Sequence, residues 1–120
     1  TLAADPRVRQ LSVRRLMILL KRVLLQQVQW VVFEPNRPAL WRELRQIVES
    51  YLRTLHGHGA FRGATDEEAF FVQCDETLNP QAVLDQGHLV VDIGVAPAEP
   101  IEFIVLRIAR SGDGMLTITE

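Results

Sequence analysis

Trp30-Val31-Val32-Phe33-Glu34-Pro35-Asn36 joins two helical patterns, and the architecture turns on its conformation. Its β-branched and aromatic residues favour an extended chain, and Pro35 biases Glu34 away from helix geometry, so a short buried strand is predicted. Upstream, over residues 11–29, Val13, Met17, Leu20, Leu24 and Val28 recur every three or four positions, widened by Leu16, Leu19 and Val23. Arg14, Arg15, Lys21, Arg22, Gln26 and Gln29 fill the other side. That pattern is an amphipathic helix with a basic outer face, for which Ser12 is the expected cap. Downstream, Asn36 is expected to cap a second helix with Pro38 in its first turn. Leu40, Leu44, Ile47, Val48, Tyr51, Leu52 and Leu55 form its apolar stripe, and His56-Gly57-His58-Gly59 ends it.

Residues 69–74, 89–95 and 101–109 read as strands, with Gly94 expected to form a bulge. A turn or two of helix over residues 79–86 is expected to be capped by Asn79. In the third strand Phe103, Val105 and Arg107 alternate with Ile104, Leu106 and Ile108, a pattern apolar on both faces that suits a central or covered position. The order predicts an α+β domain of two long helices packed on a mixed sheet of about four strands. The unit from Trp30 to Cys74 would form a right-handed parallel crossover. Residues 1–110 are expected to form the domain, and residues 111–120 an extended C-terminal β-arm.

At 120 residues and 13.6 kDa the chain suits one domain, and its 48% apolar and 23% charged residues match an ordinary globular core, which excludes intrinsic disorder. The longest uninterrupted apolar run, Leu16 to Leu20, is five residues, and no membrane insertion is expected. Thr1 to Arg9 mix acid, base and Pro6 and do not resemble a signal peptide. The net charge of −2 conceals a polarity: residues 1–62 carry +7 and residues 63–120 carry −9. All but one of the 13 basic residues are Arg, whose planar fork suits ion pairs at interfaces.

Candidates for chemistry are few. His56 and His58 stand two apart at a glycine-rich helix end, with Cys74, Asp75 and His88 elsewhere, and nothing converges them into the three or four ligands a metal needs. Cys74 with His88 lacks a third orienting group, and a lone cysteine at the end of an apolar strand reads as a buried thiol. Gly57, Gly59 and Gly63 match no phosphate loop. Asp66-Glu67-Glu68 after Thr65 reads as a helix start or a solvated turn. No catalytic residue, metal or cofactor is expected.

Two features point to association instead. Met115, Leu116, Thr117, Ile118 and Thr119 form a strand-prone run past the Ser111-Gly112-Asp113-Gly114 break, with Leu116 and Ile118 on one face. Fully extended, residues 111–120 reach about 33 Å at ~3.3 Å per residue, enough to pair with a neighbour's sheet. The basic face, chiefly Arg14, Arg15, Lys21 and Arg22, suits an acidic partner. Opposite charge on the two halves favours head-to-tail contact between identical copies. The alternative is a small binding module that uses the same helix on nucleic acid or an acidic protein; a pI of about 5.9 and the lack of interleaved aromatics weigh against nucleic acid.

Several long strings have a more specific likeness. These are Val13-Arg14-Arg15-Leu16, Gln29-Trp30-Val31-Val32-Phe33-Glu34-Pro35-Asn36, Leu40-Trp41 and Gly63-Ala64-Thr65-Asp66-Glu67-Glu68-Ala69-Phe70-Phe71-Val72-Gln73-Cys74-Asp75. Gly87-His88-Leu89-Val90-Val91-Asp92-Ile93-Gly94-Val95-Ala96-Pro97 and Glu102-Phe103-Ile104-Val105-Leu106-Arg107-Ile108 follow in order, and Thr1-Leu2-Ala3-Ala4-Asp5-Pro6 fits the stretch before the first helix. Together they resemble the C-terminal domain of the contractile tail sheath family of phages, tailocins and phage-tail-like injection systems. The resemblance implies a structural subunit that polymerises as stacked hexameric rings around an inner tube protein. Such a sheath contracts on a baseplate trigger and drives the tube through a target envelope. It implies a homo-oligomer with tube, baseplate and terminator or cap partners, no cofactor, and assembly in the bacterial cytoplasm as part of a particle that can be released. Neighbouring arms would pair as strands, and this domain would be the inner, tube-facing layer. Sheath proteins are longer, so the chain is expected to be a piece lacking the upstream domains and the N-terminal arm.

Overall fold

The computed structural model describes residues 6–98 and 101–120, with side chains from Ser12 onward. The string Thr1 to Asp5, and Glu99 and Pro100 of the turn after the second predicted strand, lie outside the described residues. Helix α1 spans Pro6–Gln27, so Ser12 lies inside it and does not cap it. Proline needs no amide partner in a first turn, which lets the helix start six residues before Ser12.

The largest departure from expectation is at Gln29–Phe33, which is a 3₁₀ helix and not a strand. Val28 N–H still bonds Leu24 O at 3.1 Å, Val31 N–H bonds Val28 O at 3.0 Å, and Glu34 N–H bonds Val31 O at 3.1 Å. The three-residue period buries Val28 and Val31 together. The far end is held by Arg110, whose Nη1 donates to Val31 O at 2.7 Å and Glu34 O at 2.8 Å. Continuation of the α1 hydrogen-bond ladder and this distant cation together outweigh the β propensity of Val31 and Val32.

Helix α2 (Pro38–Gly57) buries Leu40, Leu44, Val48 and Leu52 of the predicted stripe and adds Trp41, while Ile47, Tyr51 and Leu55 of that stripe are only partly buried. Its N-cap is Arg37, without a side-chain bond. Asn36 instead accepts from Trp41 Nε1 at 2.6 Å and donates to His88 O at 2.7 Å, fastening the helix start to the entry of the sheet. The helix closes as predicted, with Gly59 at φ +84° and Ala60 N–H bonded to Leu55 O at 3.0 Å. A single turn, α3 (Asp66–Ala69), is capped reciprocally: Thr65 Oγ1 accepts from Glu68 N–H at 3.4 Å, and Glu68 Oε2 accepts from Ala64 N–H at 2.9 Å.

Strands β1 (Phe70–Gln73), β2 (Leu89–Val95), β3 (Ile104–Arg110) and β4 (Leu116–Thr119) form one sheet in the order β1-β2-β3-β4, every pair antiparallel. With no strand at Trp30 there is no parallel crossover, so the expected mixed sheet is wholly antiparallel. β3 is central, as its two-sided pattern predicts. Gly94 keeps regular register, opposite Phe71 and Val105, and forms no bulge. The short helix α4 (Gln81–Asp85) is capped by Pro80, not Asn79. Asn79 is buried and clamps β2: Oδ1 accepts from Val90 N–H at 2.8 Å, and Nδ2 donates to Val90 O at 2.9 Å and Asp75 O at 3.0 Å.

The C-terminal run also departs from expectation. In this chain it does not extend away from the body. Residues 111–114 make a tight turn, Ser111 N–H bonds Met115 O at 2.9 Å, and β4 pairs with β3 from Arg110–Leu116 to Arg107–Thr119. Leu116 and Ile118 pack against the core while Thr117 and Thr119 face out, the predicted two-faced pattern.

The core lies between the helices and one sheet face: Met17, Leu20, Leu24, Val28, Leu44, Val48 and Leu52 against Leu89, Val91, Ile93, Leu106 and Ile108. By length and composition the stretch Ser12–Phe33 would also pass for a bilayer span. Here its buried apolar residues serve this core.

Candidate functional site

The basic face of α1 is formed as its spacing predicts, and the structure adds detail. Arg14, Arg15 and Arg22 are exposed. Lys21 is only half-exposed, and its Nζ lies 3.2 Å from Glu120 Oε2, so this cation is already engaged by the residue that follows β4. Between the arginines stand Ile18 and Leu19, 53% and 55% exposed, so Leu19 lies on this outer face and not in the apolar stripe where the spacing placed it. The face is thus apolar as well as cationic, which the helical pattern alone did not single out.

The strand-prone run is brought to the same side of the molecule: β4 packs beside α1, and the Lys21–Glu120 pair ties the far end of β4 to the helix. Met115 stands 62% exposed at the start of β4. β4 is an edge strand, as is β1 at the opposite side.

The sheet face away from the helices carries Phe71, Phe103 and Val105, each more than a third exposed. Phe71 and Phe103 meet edge to face, centroids 5.2 Å apart. Beside them Arg107 grips Asp92 bidentately, Nε to Oδ1 at 2.7 Å and Nη2 to Oδ2 at 2.9 Å. That carboxylate holds the Arg107 guanidinium above its ordinary pKa.

Phe33, at the end of the 3₁₀ helix, is 90% exposed. It borders an open groove lined also by Glu34, Leu84, Gly112 and Arg110. Arg110 is buried, and burial without a carboxylate partner pushes its pKa down. As a predicted strand, the Trp30 segment gave no hint that Phe33 would stand free or that Arg110 would reach across the chain to cap it.

The chemical candidates do not assemble. Cys74 is buried, and desolvation pushes its thiol up to about 12, far from a reactive thiolate. Its polar neighbour is Asn79 Nδ2 at 3.9 Å, while His88 is held through its backbone carbonyl, by Asn36. Among the described residues no three His, Cys, Asp or Glu side chains converge on a metal position. His56 is taken up by Asp66 and the Gly63 carbonyl, and His58 is exposed one residue beyond the helix.

Comparison with known proteins gives a consistent likeness. The phage tail sheath C-terminal domain matches residues 3–110. The tail sheath protein of Vibrio phage KVP40 is 35% identical over 105 residues, which cover 87% of this chain and 15% of that protein. A chain of the six-fold symmetrised anti-feeding prophage baseplate superposes with a TM-score of 0.69 at 34% identity, over 77% of this chain and 26% of that one. The sheath complex of the extracellular contractile injection system PVC, in its contracted state, gives a TM-score of 0.53 at 36% identity, over 60% and 21%. The matched region thus amounts to between 15% and 26% of the length of these relatives.

Proposed function

Because the chain belongs to the phage tail sheath C-terminal domain family, we propose that it is the inner domain of a contractile sheath subunit, stacking as hexameric rings around a tube and shortening to drive that tube through a target envelope. The observation that carries this reading is the match over residues 3–110, joined to 35% identity with a phage sheath protein. The antiparallel sheet backed by two helices supplies a rigid block. Only a free-energy difference between the extended and contracted lattices does work, so the domain itself need not deform.

In this reading residues 115–119 act between subunits by exchange. β4 satisfies its own β3 in the isolated chain, and a neighbour's β4 could occupy the same register. Each main-chain bond remade is worth about 1 kcal/mol net, so the swap is nearly balanced and is settled by lattice geometry. Arg14, Arg15 and Arg22, with Ile18 and Leu19, form the contact for an acidic tube or an adjacent subunit. Lys21 joins them only when Glu120 withdraws with β4. Baseplate and terminator proteins would bound such a lattice, assembled in the bacterial cytoplasm.

Electron microscopy of the full-length protein tests the proposal. Helical tubes are expected, shortened or lost when residues 111–120 are deleted. Charge reversal at Arg14 and Arg15 should weaken assembly more at low salt than at high salt. A full-length protein that stays monomeric at high concentration would overturn the assignment, and tubes of normal length after the deletion would overturn the exchange.

A further inference from the structure

His56 sits at the last turn of α2 with both ring nitrogens engaged. Nδ1 lies 3.0 Å from Asp66 Oδ1, and Nε2 lies 2.9 Å from the Gly63 carbonyl. Both partners accept and neither donates. A neutral imidazole has one N–H, so in either tautomer one lone pair would face another at hydrogen-bond distance. Only the imidazolium satisfies both contacts. This conclusion does not depend on which nitrogen is assigned the proton.

The surroundings are shaped for that arrangement. Gly63 adopts φ +109°, and a Cβ there would lie 2.8 Å from Glu68 Cβ, so the turn that presents the carbonyl to His56 admits only glycine. Arg62 N–H bonds Ala96 O at 2.8 Å and Phe61 is buried, which anchors the connection to the sheet on the near side of Gly63. On the far side Asp66 opens α3, directly before β1. The His56 side chain is only 14% exposed, and its ring stands nearly perpendicular to that of Phe70 with centroids 6.5 Å apart.

We infer that His56 is a charged latch, closing the connection between α2 and β1 while protonated and releasing it as the medium turns alkaline. The groups that face it set the sense. From α2, Arg53 donates Nε to Asp66 Oδ2 at 3.3 Å, while Glu49 lines the groove on the far side of Asp66, away from the His56 ring contacts. From α3 come Asp66 and Glu67, with Glu68 turned to Ala64 N–H. From β1 comes only Phe70, which is uncharged. The carboxylate that His56 touches is Asp66, and Arg53 meets that same carboxylate on its other oxygen, so the cation is favoured through Asp66.

The hydrogen bond from Asp66 raises the His56 pKa above its ordinary 6.5, the Gly63 carbonyl adds to the rise, and burial opposes it. The same bond lowers Asp66. A raised histidine contributes stability that is complete below its unfolded pKa and is lost as pH climbs through the folded value. A lowered aspartate contributes stability present above its unfolded pKa and lost as pH falls through the folded value. The latch is therefore tightest in mildly acidic solution and opens first on the alkaline side.

NMR titration of the chain tests this directly. His56 should titrate above the ordinary 6.5 of a histidine, with both ring nitrogens protonated at pH 6.5, and exchange of the Ala64 amide should rise faster with pH than base catalysis alone requires as His56 loses its proton. Asp66→Asn, which keeps the size and removes the charge, should bring the His56 titration down and flatten the pH dependence of stability between pH 6 and 8. His56→Gln should abolish that dependence. His56 titrating at or below 6.5, a single ring N–H at pH 6.5, or an unchanged stability profile in Asp66→Asn would each overturn the latch.

Discussion

The ring of Phe71 lies across the Cα of Gly94, its partner on the neighbouring strand, and fills the space a Cβ would need. Gly94→Ala should therefore push the ring off the sheet and into solvent. Because the ring is at the tip of a half-exposed side chain, the cost should be about 1 kcal/mol, the low end for overpacking. In a Phe71→Ala background the same change should be close to neutral. Urea unfolding of the two singles and the double reads the coupling; additive losses would show that Gly94 is needed for another reason.

Arg110→Met should cost about 3 kcal/mol, because the carbonyls of Val31 and Glu34 would lose their shared charged donor. Since that donor holds the end of the 3₁₀ helix, exchange of the Glu34 amide should accelerate more than exchange within α2. Equal acceleration in both would mean that the loss is global and not local.

Asn79→Ala should cost about 2–3 kcal/mol by leaving both backbone groups of Val90 unpaired inside the protein. Asn79→Asp should be worse at pH 7 than at pH 4, because an ionised carboxylate would face the Val90 carbonyl. Thermal unfolding at the two pH values checks the order.

Cys74 should react with a thiol reagent only as fast as the protein unfolds, at any pH up to about 9, since its ionisation is pushed up to about 12. Cys74→Ala should leave sheath assembly intact. Labelling within seconds in native buffer would contradict the burial.

Much of the fold is legible in the sequence because periodicity reports burial directly. The stripe from Leu40 to Leu52 and the alternation around Leu106 place their residues on the faces where the structure has them. Gly59 and Thr65 act locally, so their neighbours suffice to read them. The errors occur where a distant group decides. Trp30–Phe33 has strand propensity, and Arg110, far along the chain, holds it in a helix. Asn36 and Asn79 look like caps because their neighbours are Pro38 and Pro80, yet each is recruited by the backbone of β2 or its approach. The cationic residues of α1 are predictable from spacing, whereas the engagement of Lys21 by Glu120 requires knowing where β4 lies in space.

The hairpin of β3 and β4 has a mechanical consequence. β4 starts at the tight turn and its far end lies beside Arg107. A pull on Glu120 away from the sheet would load one rung at a time, first Thr119, then Ile118 and onward to the turn, and the strand would peel like tape. A pull along the strand axis would load every rung at once and meet far greater resistance. The last strand can thus be stripped by a weak sideways force and still bear a heavy lengthwise one.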